Sequence, residues 1–176
     1  DIIMRKSIFF VIALCAMLSA SVYNAAAQNQ ESREMKVGTP MPEFVLNSDV
    51  HGELSSADLK GEVVLMTFFA TWCGPCQKEL AAVQEKLWPV YKNKKGFRLV
   101  VVGREHTDEQ LKDYNEIKKF SFPMYPDPKR EVYSKFADIT IPRAYLFGKD
   151  GKLIHASKGF EEGDMEKVIK MIEEAL

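Results

Sequence analysis

Cys73 and Cys76, set in Trp72-Cys73-Gly74-Pro75-Cys76, are the residues of this chain whose types and spacing most clearly point to chemistry. The pair follows the apolar run Val63-Val64-Leu65-Met66-Thr67-Phe68-Phe69. A Cys-x-x-Cys that opens a helix after a buried-type strand reads as a redox dithiol. From Pro75 onward Leu80, Val83, Leu87 and Val90 recur at helical spacing, which places Cys73 at the helix entrance. Unpaired N–H groups and the positive end of the helix dipole favour a thiolate there, so Cys73 is the candidate nucleophile. Cys76 lies on the same helical face, one turn further in, and is the candidate resolving thiol.

Two other readings use the same cysteines. A zinc site needs four ligands, but the remaining cysteine is Cys15, and His51, His106 and His155 lack paired metal-ligand spacing. A purely structural disulfide closes so short a loop that it removes little chain entropy. Thiol-disulfide exchange is the reading these residues favour.

The elements that must position the dithiol fill one domain. With 24 basic and 25 acidic residues the formal charge is −1, and no basic stripe points to nucleic acid or an anionic membrane. Residues 1–27 read as a signal peptide: Arg5-Lys6 is positive, Ile8 to Leu18 is apolar, and Ala25-Ala26-Ala27 offers a cleavage site. The apolar core is short for a membrane helix of about 20 residues, although Ser7 to Ala27 spans if left uncut. Leu14, bulky before Cys15, argues against lipidation there. Residues 28–36 form a polar leader, and 37–176 form the domain.

Within 37–176, Phe44 to Leu54 reads as a small hairpin and Ser55 to Gly61 as a capped helical turn. The strand before the dithiol follows, and then a helix from Pro75 to about Lys92 that Pro89 kinks or ends. Phe97 to Val102 is a second buried strand. Thr107 caps a helix to about Phe120 with Leu111, Tyr114 and Ile117 inward. Ser121 to Pro128 is proline-rich and not helix, and Lys129 to Phe136 is a short helix. Ala144 to Phe147 and Leu153 to Ala156 pair through Asp150-Gly151, and Gly163 to Leu176 is an amphipathic helix. This order predicts an α/β fold with a mixed central sheet flanked by helices and an N-terminal hairpin.

With Trp72-Cys73-Gly74-Pro75-Cys76, this element order, and Ile141-Pro142 before a strand, the chain resembles thioredoxin. From Val37 to Leu176 it resembles more closely the exported TlpA/ResA-type thiol-disulfide oxidoreductases. The opening Val37-Gly38-Thr39-Pro40-Met41-Pro42-Glu43-Phe44, the stretch Phe68 to Leu80 and a central insert between Val102 and Pro142 carry that likeness. The resemblance implies a cis-proline at Pro142 packed on the disulfide, with Ile141 offering its backbone to substrate. It further implies a periplasmic, monomeric enzyme that needs no metal or organic cofactor. Its partners would be protein thiol or disulfide substrates and an upstream dithiol donor. Gly74-Pro75 is the dipeptide of thioredoxin, a reductant at about −270 mV.

Thioredoxin's buried aspartate is replaced by Thr67. Members of the TlpA/ResA type often carry a glutamate three residues after the second cysteine, where Glu79 stands. On a helix Glu79 shares a face with Cys76 and could take its proton; the alternative is a solvated carboxylate beside Lys78. Trp72 reads as an apolar cover that receives substrate, or else as core packing. Arg104-Glu105-His106 ends the second strand where such sheets place functional loops, although a capping or surface role is favoured. Two rival functions remain. A peroxiredoxin-like thiol peroxidase would carry Thr and Pro where this chain has Ala70 and Met66. A non-catalytic thioredoxin-fold binding module would not need Cys73 and Cys76.

Overall fold

The computed structural model describes residues 34–176; the expected signal peptide and most of the polar leader lie outside the described residues. The hairpin comprises β1 (Val45–Ser48) and β2 (Gly52–Ser55), which pair antiparallel and lead into a 3₁₀ turn, Ser56–Leu59. The main sheet comprises β3 (Val63–Phe69), β4 (Phe97–Arg104), β5 (Met124–Asp127), β6 (Arg143–Phe147) and β7 (Leu153–Lys158), in the order β5-β4-β3-β6-β7. β3, β4 and β5 run parallel, whereas β6 and β7 are antiparallel to their neighbours, so the mixed α/β sheet expected from the element order is present.

β3 is buried at every residue, which is why its apolar run does not alternate. Its odd and even positions feed two separate cores. Leu65 and Phe69 pack with Leu80, Leu87 and Ile172 on one face. Met66 and Phe68 pack with Tyr133, Phe136 and Tyr145 on the other. The opening segment covers the start of β7, with Gly38 donating to the Leu153 carbonyl and Leu153 to that of Thr39.

Helix α1 (Gly74–Ala82) passes through a π-helical turn, Val83–Leu87, into α2 (Trp88–Tyr91). Pro89 has no N–H to donate, and the wide turn absorbs that loss so that the helix continues. The wider turn also moves the inward position: Tyr91 is buried, and Val90, expected inward, is 67% exposed. Helix α3 (Asp108–Lys118) begins as expected at Thr107, whose hydroxyl accepts from Gln110 N. It ends earlier than expected, at a left-handed Lys119. Asn115 then bonds both backbone groups of Phe120 and turns that ring into the core beside Phe122, leaving Ile117 exposed. Helix α4 (Tyr133–Phe136) starts later than Lys129 because the Asp127 carboxylate accepts from Val132 N and Tyr133 N. Helix α5 (Asp164–Ala175) closes the domain.

Candidate active site

Cys73 is the N-cap of α1, with extended backbone angles and a proline in the first turn behind it. The helix therefore begins with donors that its own carbonyls cannot use. One of them, Cys76 N, donates to Cys73 Sγ at 3.3 Å. The two cysteines form a disulfide. Cys76 is fully buried and Cys73 is 6% exposed, so any approach from outside meets Cys73 first. The Ile141-Pro142 bond is cis, as the resemblance implied, and the Ile141 carbonyl oxygen lies 3.8 Å from Cys73 Sγ. Trp72 is two-thirds exposed beside this pair, so core packing does not account for it.

Glu79 is not the solvated carboxylate of the alternative reading. It is 4% exposed and accepts a hydrogen bond from Thr67 Oγ1 at 2.9 Å. Thr67 thus stands across from the carboxylate and holds it. Burial pushes the Glu79 carboxyl up from 4.5 to about 7, opposed by the Thr67 hydrogen bond and reinforced by the nearby charge of Asp164. A cavity of about 150 Å³ adjoins it, lined among others by Leu65, Ala144, His155, Ser157 and Asp164.

Arg104 and His106 are buried as well, which overturns the surface or capping reading for those two, whereas Glu105 between them is exposed as that reading has it. The cause is that β4 runs on to Arg104, two residues beyond the expected end, and the turn that follows, closed by His106 N donating to the Gly103 carbonyl, sets His106 beside it. His106 Nδ1 lies 2.7 Å from the Arg104 carbonyl oxygen, which can only accept, so Nδ1 carries the proton. Its Nε2 then accepts from Thr71 N–H at 3.3 Å and faces Thr71 Oγ1 at 2.8 Å. Gln77 Nε2 donates to the Ala70 and Thr71 carbonyls, and Gln77 Oε1 accepts from Tyr114 at 2.6 Å. The turn that presents Trp72 and Cys73 is therefore held from three elements. His51 instead packs near the Tyr125 ring, and His155 sits on β7.

The loop before Pro142 is held in a similar way. Arg130 donates to the Asp138 carbonyl at 2.6 Å, Arg143 to that of Ile139 at 3.3 Å, and Tyr133 to that of Thr140 at 2.6 Å. Sequence reasoning did not find these residues; the signal available was their place at the C-terminal end of a parallel strand and just after the proline. Among the described residues, no group of three or more His, Cys, Asp or Glu side chains could hold a metal ion.

A redox-active cysteine pair at a helix N-terminus, facing a cis-proline across the end of a mixed sheet, defines a thiol-disulfide oxidoreductase of thioredoxin-like fold. The chain belongs to the AhpC/TSA family, which matches residues 37–156. It is similar to the thiol-disulfide oxidoreductase ResA of Bacillus cereus (strain ATCC 10987 / NRS 248), at 32% identity over 96% of this chain and 98% of that protein. Among solved structures it resembles a putative protein disulfide isomerase from Bacteroides thetaiotaomicron, with TM-score 0.77 and 25% identity over 81% of this chain and 91% of that one. It also resembles a putative thiol:disulfide interchange protein DsbE from Chlorobium tepidum, with TM-score 0.69 and 26% identity over 81% and 99% of the two chains.

Proposed function

We propose that this enzyme reduces protein disulfides outside the cytoplasm, with Cys73 as nucleophile, Cys76 as resolving thiol and Glu79 as proton acceptor. The Cys73 thiolate attacks one sulfur of a substrate disulfide, and the other substrate sulfur leaves and takes a proton. Cys76 then gives its proton to Glu79 and attacks Cys73 Sγ, which releases the second substrate thiol and leaves the Cys73–Cys76 disulfide. Two electrons have passed to the substrate, and an upstream dithiol donor returns two. A carboxyl near 7 is matched to this step at neutral pH, since it is both available as a base and able to hold the proton. Trp72, Ile141 and Pro142 receive the substrate segment. The signal-like residues 1–27 support export to the periplasm, and cutting after Ala27 would leave Cys73 and Cys76 as the remaining thiols.

The observation that carries this reading is the Cys73–Cys76 disulfide, with an exposed tryptophan on one side and the Ile141 carbonyl 3.8 Å away on the other. An insulin-reduction assay beside a peroxide-consumption assay tests it. The expected outcome is precipitation of insulin chains when a small dithiol regenerates the enzyme, with peroxide consumed no faster than by the dithiol alone. Rapid peroxide turnover without insulin reduction would favour the thiol peroxidase, and neither activity would favour the binding module.

A further inference from the structure

Arg104 is a buried guanidinium at the end of β4, and its Nε has no hydrogen-bond partner. An aliphatic side chain would fill the same space without the cost of taking a charge out of water. What the guanidinium adds is contact with aromatic faces. Its central carbon lies 5.8 Å from the centroid of the Trp72 ring and 5.0 Å from that of Tyr133, within cation–π range of both. Glu105 holds the other side of the group at 3.0 Å. The Tyr133 hydroxyl in turn donates to the Thr140 carbonyl.

Trp72 and Thr140 thus stand at opposite ends of one chain of contacts. Trp72 belongs to the loop that presents Cys73, and Thr140 to the loop that presents Ile141 and Pro142. Thr140 has φ +76°, a conformation that a β-branched residue holds only when its surroundings enforce it. The carbonyls of residues 138, 139 and 140 each take a side-chain donor, whereas the next one, that of Ile141, faces Cys73 Sγ. A surface loop ordinarily leaves such carbonyls to water.

We propose that Trp72–Arg104–Tyr133–Thr140 is a strut that sets the gap between the two lips of the substrate cleft. Arg104 and Tyr133 are then positioning residues that favour extended polypeptide disulfides over small ones. The inference rests on the reading that Trp72 and the Ile141 backbone receive substrate. A polypeptide must touch both lips at once, so its rate depends on their spacing. A small disulfide needs to reach only Cys73.

Tyr133→Phe keeps the ring and removes one hydrogen bond; Arg104→Met keeps the apolar stem and removes the cation. Each reduced protein is reacted with a ten-residue peptide disulfide and with the neutral 2-hydroxyethyl disulfide, and thermal melts check the fold. The expected result is a loss of about fivefold with the peptide, the size of one buried hydrogen bond, and no change beyond about twofold with the small disulfide. Loss of both rates together would reduce the two residues to general stability, and retention of the peptide rate would remove the strut. If Arg104→Met does not fold, Tyr133→Phe decides alone. If the wild-type protein has no preference for the peptide, the docking reading falls and the strut with it. If wild type prefers the peptide and both variants keep that preference, the strut alone falls.

Discussion

Glu79→Gln isolates the cost of a buried carboxyl, and the oxidised protein is the form in which to measure it because neither Cys73 nor Cys76 titrates there. Raising Glu79 from 4.5 to about 7 makes ionising it in the fold cost about 3 kcal/mol more than in the unfolded chain. The folded state holds this proton more tightly than the unfolded state. Its contribution is therefore fully present below about pH 4.5 and is lost as pH rises through about 7. Glutamine has nearly the same volume, can still accept from Thr67 Oγ1, and carries no charge at any pH. The expected outcome in urea unfolding is that the variant gains on wild type by about 3 kcal/mol between pH 4 and pH 8.5. A difference independent of pH would refute the buried-carboxyl argument, as would a ¹³C carboxyl signal of Glu79 titrating near 4.5. The catalytic arm is separate. Resolution of the mixed disulfide should slow by roughly tenfold in Glu79→Gln and lose its inflection near pH 7, since general-base help to a thiol is modest. Identical pH profiles would leave the energetics standing and remove Glu79 from the proton path.

Other consequences follow from burial and from the two-step exchange. Alkylation of the reduced protein near neutral pH should label Cys73 well before Cys76, which is fully enclosed; peptide mapping that finds Cys76 labelled first would reverse the proposed roles. Cys76→Ser should accumulate a mixed disulfide through Cys73 on non-reducing gels, and its absence would contradict the two-step exchange. Gly103→Ala would place a Cβ 2.5 Å from Leu111 Cδ2 and 3.3 Å from His106 Cβ. Over-packing of this kind costs about 1–3 kcal/mol. An unchanged denaturant midpoint would mean that Leu111 moves aside freely.

The site was legible where its parts are neighbours along the chain. Cys73, Cys76 and Pro75 share one helix start, so spacing alone predicts which thiol lies outside. The strands and caps were legible for the same reason: the Thr107 cap and the β6–β7 turn are local. Val90 and Ile117 were misplaced because both lie where a helix departs from regular geometry. Pro89 is met by one wide π-helical turn in one helix, and Asn115 ends another by capturing the backbone of Phe120. A regular helical period carries no signal for either event.

The ionisation of Glu79 and the roles of Arg104, His106 and Tyr133 come from packing across the sheet. Glu79 meets Thr67 12 residues away, His106 meets Thr71 35 residues away, and Cys73 faces Ile141 across 68 residues. Whether Glu79 is solvated or closed in beside a cavity depends on residues as distant as His155 and Asp164. The dithiol, its place at a helix entrance and the order of the elements can be read along the chain, because each of these follows from residues a few positions apart. Which charged groups leave water emerges only on folding, because desolvation is set by every neighbour that folding brings close and by none of them singly.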